Sequence, residues 1–180
     1  MSTICETGAK VSPGVLRRAD GYVLFAALKR ADWVGNGEPC LQILGEGNRI
    51  LFRSTPALAS KLAALTGERL SVDGMRLRIL ETATWQIEPV PVLQSWLVTI
   101  KGKQCDQDLR VAVQRQMAIL GVSANVTLGP RRVVRVCGVR VVGYGVRLLG
   151  LSAKDSVAVQ AHGLGGRNRF GCGVFVGGTA

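Results

Sequence analysis

The second half of the chain spells a strand, a helix, two strands, a helix and a strand, and few compact folds accept that order. Ser95 to Lys101 alternates as a strand, Gly102 turns the chain, and Asp106 opens a helix with Leu109, Val113, Met117 and Leu120 on one face. Gly121 ends that helix. Arg131 to Cys137 and Val141 to Leu149 read as two long strands around Gly138, Ser152 caps a second helix through Val157 and Ala161, and Gly173 to Val176 reads as a closing strand. This β-α-β-β-α-β order is the ferredoxin-like unit, with both helices on one face of an antiparallel sheet.

The first half carries a weaker version of the same order. A short strand is expected around Thr3 to Thr7, then a helix from Gly21 through Val23 or Leu24, Ala27 and Leu28, with Asp20 as N-cap and Lys29 and Arg30 in its last turn. Leu41 to Leu44 and Arg49 to Arg53 read as a hairpin joined by G-E-G-N. Thr55 caps a helix with Pro56 at its first position, running through Leu58, Leu62 and Leu65 to Gly67. Arg69 to Val72 and Met75 to Leu80 flank Asp73-Gly74, a dipeptide that favours a type I′ turn. The run T-A-T-W-Q-I-E-P-V-P-V, with Pro89 and Pro91, reads as a linker. The expected fold is therefore α+β, two tandem ferredoxin-like (RRM-like) domains with antiparallel sheets, residues 1–88 and 89–180, the second carrying a Gly-rich loop.

That loop, A-H-G-L-G-G-R-N-R-F-G-C-G-V-F-V (Ala161 to Val176), holds five glycines, two arginines and the only histidine of the chain. Glycines permit positive φ and close backbone approach, and Arg167 and Arg169 have no neighbouring carboxylate, a combination suited to a polyanion. A plain glycine-rich turn before a last strand is the rival reading. Charge along the chain favours the first. The net charge is +11; residues 1 to 108 hold 13 basic and 11 acidic side chains, whereas residues 109 to 180 hold 10 basic and one acidic, Asp155. A one-signed field of this kind attracts nucleic-acid phosphates and makes affinity fall steeply with salt.

Composition excludes other classes. With 47% hydrophobic residues the chain can bury a core. No apolar run approaches the ~18 residues of a membrane span, and the start lacks the basic and apolar regions of a secretory signal, so a cytoplasmic protein without a membrane partner is expected. Cys5, Cys40, Cys105, Cys137 and Cys172 are odd in number and form no C-x-x-C pair, so neither zinc cluster nor disulfide framework is indicated. No metal site or cofactor is expected. Two-metal cleavage needs clustered carboxylates and the basic half has one acidic side chain; the loop also lacks the Lys-Ser/Thr ending of a P-loop and sits between helix and strand, the reverse of nucleotide sites.

The charge favours a nucleic-acid partner of some kind, with a soluble basic protein that has no polyanion partner, or a ribosome-type rRNA binder, as the rival. Arg131 to Cys137 and Val141 to Leu149 lack the aromatic ladder of an RRM sheet, only Tyr144 being available, so duplex or hairpin binding through arginines is the better expectation than base stacking by that sheet. Metal-independent RNA cleavage needs a base for the ribose 2′-hydroxyl, an acid for the leaving 5′-oxygen and a cation for the phosphorane charge. His162, Tyr22 and a lysine or arginine could fill those roles if they converge; a histidine that merely ends a helix and meets its C-terminal carbonyls is the alternative.

The tail from Val141 to Val176 resembles the C-terminal signature of the CRISPR-associated endoribonucleases that process repeat RNA, especially the subgroup first named after Myxococcus. G-Y-V-L-F-A-A-L (Gly21 to Leu28), L-V-T-I-K-G (Leu97 to Gly102) and R-Q-M-A-I-L-G-V (Arg115 to Val122) fall in the order of that subgroup. The resemblance covers most of residues 11 to 176, and its specific part is the Gly-rich loop. It implies tandem ferredoxin-like domains, binding of a CRISPR repeat hairpin, cleavage at the 3′ base of that hairpin without metal to leave a 2′,3′-cyclic phosphate, and retention on the guide RNA beside other CRISPR effector subunits.

On this picture Gly163, Gly165, Gly166, Arg167, Asn168, Arg169 and Gly171 position RNA, and Arg110, Arg115, Arg131, Arg132 and Arg135 are further candidates for the hairpin. The chain departs from the subgroup at one place: the catalytic histidine expected just before the G-Y of the first helix is Asp20. A carboxylate could act as a base, which makes Asp20 a candidate catalytic residue beside His162 and Tyr22, but it cannot supply the positive charge of an imidazolium beside a phosphorane, and it repels the phosphate. Either His162, Tyr22 or another group takes over, or the protein is a catalytically inactive hairpin-binding subunit. A general RRM-like or ribosome-associated RNA binder is the third reading.

Overall fold

The structure, a computed structural model, describes residues 3–38, 40–136 and 138–178. The chain divides into two compact units, Met1–Ile87 with Arg169–Gly171, and Glu88–Asn168 with Cys172–Ala180.

The first unit is built from β1 (Cys5–Ser12), α1 (Gly21–Arg30), β2 (Gln42–Glu46), β3 (Arg49–Ser54), α2 (Pro56–Ala63), β4 (Arg69–Val72) and β5 (Met75–Gln86). Its sheet runs β2-β3-β1-β5-β4 with every neighbouring pair antiparallel. Ala9 and Val11 of β1, Ile43, Ile50, Phe52, Leu77 and Ile79 form one face, and Leu24 and Leu28 of α1 and Leu58 and Leu62 of α2 bury against it. The spacing of those leucines is the helical period the sequence shows, so helix formation and burial are one event. Asp73 and Gly74 both take positive φ, 49° and 80°, as a type I′ turn requires.

Three expectations change here. The leading strand is not Thr3 to Thr7 but extends to Ser12, because it lies mid-sheet, paired on one side with β3 and on the other with β5. The supposed linker begins later than its composition suggests. Residues 82–86 are the end of β5, held in register from Ala9↔Thr82 to Cys5↔Gln86, and Pro89 and Pro91 follow it. Threonine and tryptophan suit a strand, and a central partner strand is what a linker reading leaves out. Finally α2 stops at Ala63, with Leu65 reached by a turn in which its N–H donates to the Leu62 carbonyl, 3.1 Å.

The second unit contains β6 (Val92–Val98), α3 (Asp106–Leu120), β7 (Asn125–Val136), β8 (Val139–Leu149), α4 (Ala153–His162) and β9 (Val176–Gly177), in sheet order β7-β8-β6-β9. All three pairings are antiparallel. Leu109, Val113 and Met117 of α3 and Val159 of α4 pack with Leu93, Val98, Val146, Leu148 and Phe175. Both helix ends follow local chemistry: the Ser152 side chain accepts from the Asp155 N–H at 3.1 Å, and the Val122 N–H returns to the Met117 carbonyl at 2.9 Å across Gly121. The closing strand is shorter and later than Gly173 to Val176, since Gly171 and Gly173 hold φ of 84° and 65° and Val176 and Gly177 are the residues that pair in register with β6. Cys137, expected at the end of a strand, lies outside the described residues.

Candidate nucleic-acid interface

In the second unit the loop after α4 is tied down by hydrogen bonds, most of them to segments remote in the chain. The Gly163 N–H donates to the Val159 carbonyl (2.8 Å), Gly165 to the Gln116 side-chain oxygen (2.6 Å), Gly166 to the Thr99 carbonyl (2.9 Å) and Gly173 to the Leu97 carbonyl (2.7 Å). Asn168 Nδ2 donates to the Gly173 carbonyl at 3.2 Å. Those N–H groups are therefore spent on shaping the loop, and the idea of a backbone nest open to phosphate does not hold at these four glycines. Arg167 differs: it is exposed, in a left-handed backbone conformation with φ 64°, and its side chain makes no hydrogen bond or ion pair among the described residues. Beneath it Cys172 is buried, and desolvation pushes its thiol up from 9.0 to about 11, against a smaller opposing pull from the Arg167 charge.

His162 ends α4, exposed, with Nδ1 2.9 Å from the Ala158 carbonyl. A carbonyl only accepts, so this partner assigns the proton to Nδ1 and leaves the lone pair of the neutral ring on Nε2. The histidine is thus both what the structural alternative describes and a ring with a basic nitrogen turned away from its tether.

The arginines expected to meet RNA separate into free and occupied. On β7, Arg131 and Arg135 are exposed, and Arg135 lies opposite Arg140 of β8, which is exposed too. Arg140 was not among the residues expected from sequence, although its distance from Gly138 would have paired it with Arg135 once the turn was placed. Arg115 is exposed on α3. Arg132 instead donates to the Trp96 carbonyl (3.0 Å), and Arg110 to the Val126 carbonyl (2.8 Å), so each is partly engaged in holding its own unit.

The first unit includes Arg169, Phe170 and Gly171. Phe170 packs edge-on against Tyr22 and Phe25, with ring centroids 5.4 and 5.5 Å apart. Arg169 donates to the Asn36 carbonyl at 2.6 Å and lies 5.6 Å over the Phe25 ring, so it works first as an anchor of this segment. Gly21 explains the G of the G-Y pair: a Cβ there would come within 2.6 Å of the Gly171 nitrogen, so only glycine lets the segment lie on α1. Tyr22 lines a concavity with Phe25, Ala26, Lys29, Arg30 and Asn36, which gives it cationic neighbours.

Asp20 is not set up as a base. Its Oδ2 accepts the Arg17 backbone N–H at 2.8 Å and its Oδ1 meets the Arg17 guanidinium at 3.3 Å, closing the turn before α1. It also makes no side-chain cap bond to α1. Of the three candidate catalytic residues, Asp20 and Tyr22 belong to the first unit and His162 to the second.

Comparison with known proteins bears on these features. A protein-family model described as Cas6 Crispr matches residues 25–180. The CRISPR-associated endonuclease Cas6 of Myxococcus xanthus (strain DK1622) is 39% identical over 170 residues, spanning 86% of this chain and 73% of that one. Among solved structures, Cas6b aligns with a TM-score of 0.60 at 14% identity over 96% of this chain and 99% of that one. The CRISPR endoribonuclease Cse3 bound to a 19-nucleotide RNA aligns with a TM-score of 0.59 at 12% identity over 98% of each. At those identities the likeness is one of fold, and the fold is α+β with tandem ferredoxin-like units.

Proposed function

The chain belongs to the Cas6 family, and from that premise we propose that it binds the hairpin of a CRISPR repeat transcript, cleaves the precursor at the 3′ base of that hairpin without a metal ion, and stays on the product beside other effector subunits. The observation that carries the reading is the row of exposed arginines on β7 and β8, Arg131, Arg135 and Arg140, in a half of the chain with one acidic side chain. Unneutralised guanidinium groups along one hairpin suit a phosphate backbone, and such contacts position an RNA without reading its bases. Arg115 and Arg167 extend the set of free cations.

The chemistry proceeds from the ribose. His162 Nε2 takes the proton of the 2′-hydroxyl, the 2′-oxygen attacks the adjacent phosphorus, and the 5′-oxygen leaves with a proton from an acid, giving a 2′,3′-cyclic phosphate and a 5′-hydroxyl. The tether to the Ala158 carbonyl holds the ring with that nitrogen available. Tyr22 belongs to the first unit, where Lys29 lies beside it in the concavity on α1.

A second reading is favoured by Asp20. At the position where the resemblance places a histidine stands a carboxylate whose two oxygens are both held by Arg17, which suits a hairpin-bound subunit that does not cut. Incubating the protein in EDTA with labelled repeat RNA decides between the two. A product ending in a 2′,3′-cyclic phosphate establishes cleavage; retention of intact hairpin with no product establishes the binding subunit; no binding at all removes both.

A further inference from the structure

The first unit's sheet has a face turned away from α1 and α2, and three cross-strand rows lie on it. Arg53, Glu6 and Trp85 form the first row, on β3, β1 and β5; Leu51, Gly8 and Ala83 form the second; Arg49, Lys10 and Glu81 form the third. These residues line one concavity, except for Arg53, which is buried beneath it with 2% of its surface exposed. Placing Trp85 in a linker hides this arrangement in the sequence. Only the extension of β5 to Gln86 brings the indole onto a sheet face.

The indole is exposed and yet fixed. Trp85 is 42% exposed, its Nε1–H donates to Glu6 Oε1 at 3.1 Å, and Glu6 Oε2 accepts from Arg53 Nε at 2.8 Å. Its six-membered ring leans over Gly8, where an added Cβ would stand 2.6 Å from Cη2. A glycine inside a central strand marks a close approach, and here the approaching group is the ring itself. Beyond the ring the floor is small and apolar, Gly8, Ala83 and Leu51. At its far edge the Arg49 side chain makes no hydrogen bond or ion pair among the described residues, and the Lys10 side chain has only an exposed pairing with Glu81 at 3.6 Å.

We propose that this face is a stacking platform for a single-stranded stretch of RNA: a base lies against Trp85 and the adjoining phosphates meet Arg49 and Lys10. Rigid aromatic surface held ready is what base stacking uses, and cations about one nucleotide away supply the backbone contacts. A protein partner packed on the same floor would cover Arg49, whose side chain has no carboxylate partner among the described residues, so RNA, which brings phosphate to it, is the better occupant of the two. The platform shares no residue with the arginine row on β7 and β8, and it does not require the hairpin to be the substrate.

The test uses the full chain and a nine-nucleotide oligoadenylate, read by quenching of tryptophan fluorescence and by anisotropy of the labelled oligomer. Wild-type protein is expected to bind with quenching, Trp85→Ala to bind about 10-fold or more weakly without it, and Trp85→Phe to recover most of the affinity because a ring is restored. Arg49→Ala with Lys10→Ala is expected to flatten the dependence of affinity on salt. Equal affinity for wild type and Trp85→Ala overturns the proposal. So does a Trp85→Ala protein that keeps oligoadenylate binding and loses association with another effector subunit. Retained binding of repeat hairpin by Trp85→Ala shows that the variant is folded; failure of the hairpin to bind wild type, with oligoadenylate bound by wild type and weakened in Trp85→Ala, counts against the hairpin reading and supports this one.

Discussion

Arg135 of β7 and Arg140 of β8 stand directly opposite each other, both exposed, and neither has a carboxylate partner among the described residues. Like charges at paired positions destabilise a sheet by roughly 0.2–1 kcal/mol, so this pair works against the fold it sits on. Replacing both with alanine is expected to leave thermal stability equal or slightly higher while weakening repeat-hairpin binding. The slope of log affinity against log salt should fall by about two, one unit for each phosphate no longer neutralised. A salt titration in which the slope does not change removes these arginines from the RNA.

His162 and Asp20 give opposite expectations. His162→Ala is expected to cut single-turnover cleavage of repeat RNA by about 10²-fold or more with hairpin affinity retained, the size of a lost general base. Asp20→Ala is expected to leave that rate unchanged and to cost about 1 kcal/mol of stability, because it frees the Arg17 N–H that the carboxylate satisfies. A rate that collapses with Asp20 and survives without His162 reverses the assignment.

Gly21 opens α1, where alanine would ordinarily favour the helix. Its φ is −53°, so no backbone strain opposes a side chain. The opposition is steric: a Cβ meets the Phe170 carbonyl carbon and oxygen and the Gly171 nitrogen. Gly21→Ala is therefore expected to destabilise by roughly 1–3 kcal/mol, the usual cost of overpacking. Denaturant unfolding that shows equal or greater stability would contradict this packing.

Cys172 titrates late in the fold. Burial raises its thiol from 9.0 to about 11, so between those values the folded state keeps a proton that the unfolded state has lost. Stability from this group is complete below pH 9 and is lost as pH rises through about 11. The stability difference between wild type and Cys172→Ala should shrink across that window, measured by denaturant unfolding at successive pH values; a constant difference would show that the thiol ionises as freely folded as unfolded.

The elements that were legible in the chain are those whose signals are local. Ser152 before α4, Gly121 after α3, the leucine spacing of α1 and α2 and the Asp73-Gly74 turn act within a few residues, so reading them needs no partner. One-sided charge is likewise a property of composition, and it pointed to a nucleic acid before any geometry. Arg135 was legible as a cation; Arg140 opposite it was not, because pairing depends on where the hairpin turns.

The sequence by itself therefore determined where the helices lie, the Ser152 and Gly121 helix ends, the repeated order of elements, the basic second half and the family signature of the Gly-rich loop. Tertiary structure decided the rest. Whether residues 82–86 are linker or strand depends on β1, and Trp85 donates to a Glu6 that lies 79 residues earlier. Arg169 is an anchor because its partner, the Asn36 carbonyl, stands 133 residues away, and the loop glycines bind the protein's own acceptors because Thr99, Leu97 and Gln116 surround them. A backbone amide or a guanidinium bonds whichever acceptor the fold brings within reach, and that distance is set by packing between segments remote in the chain.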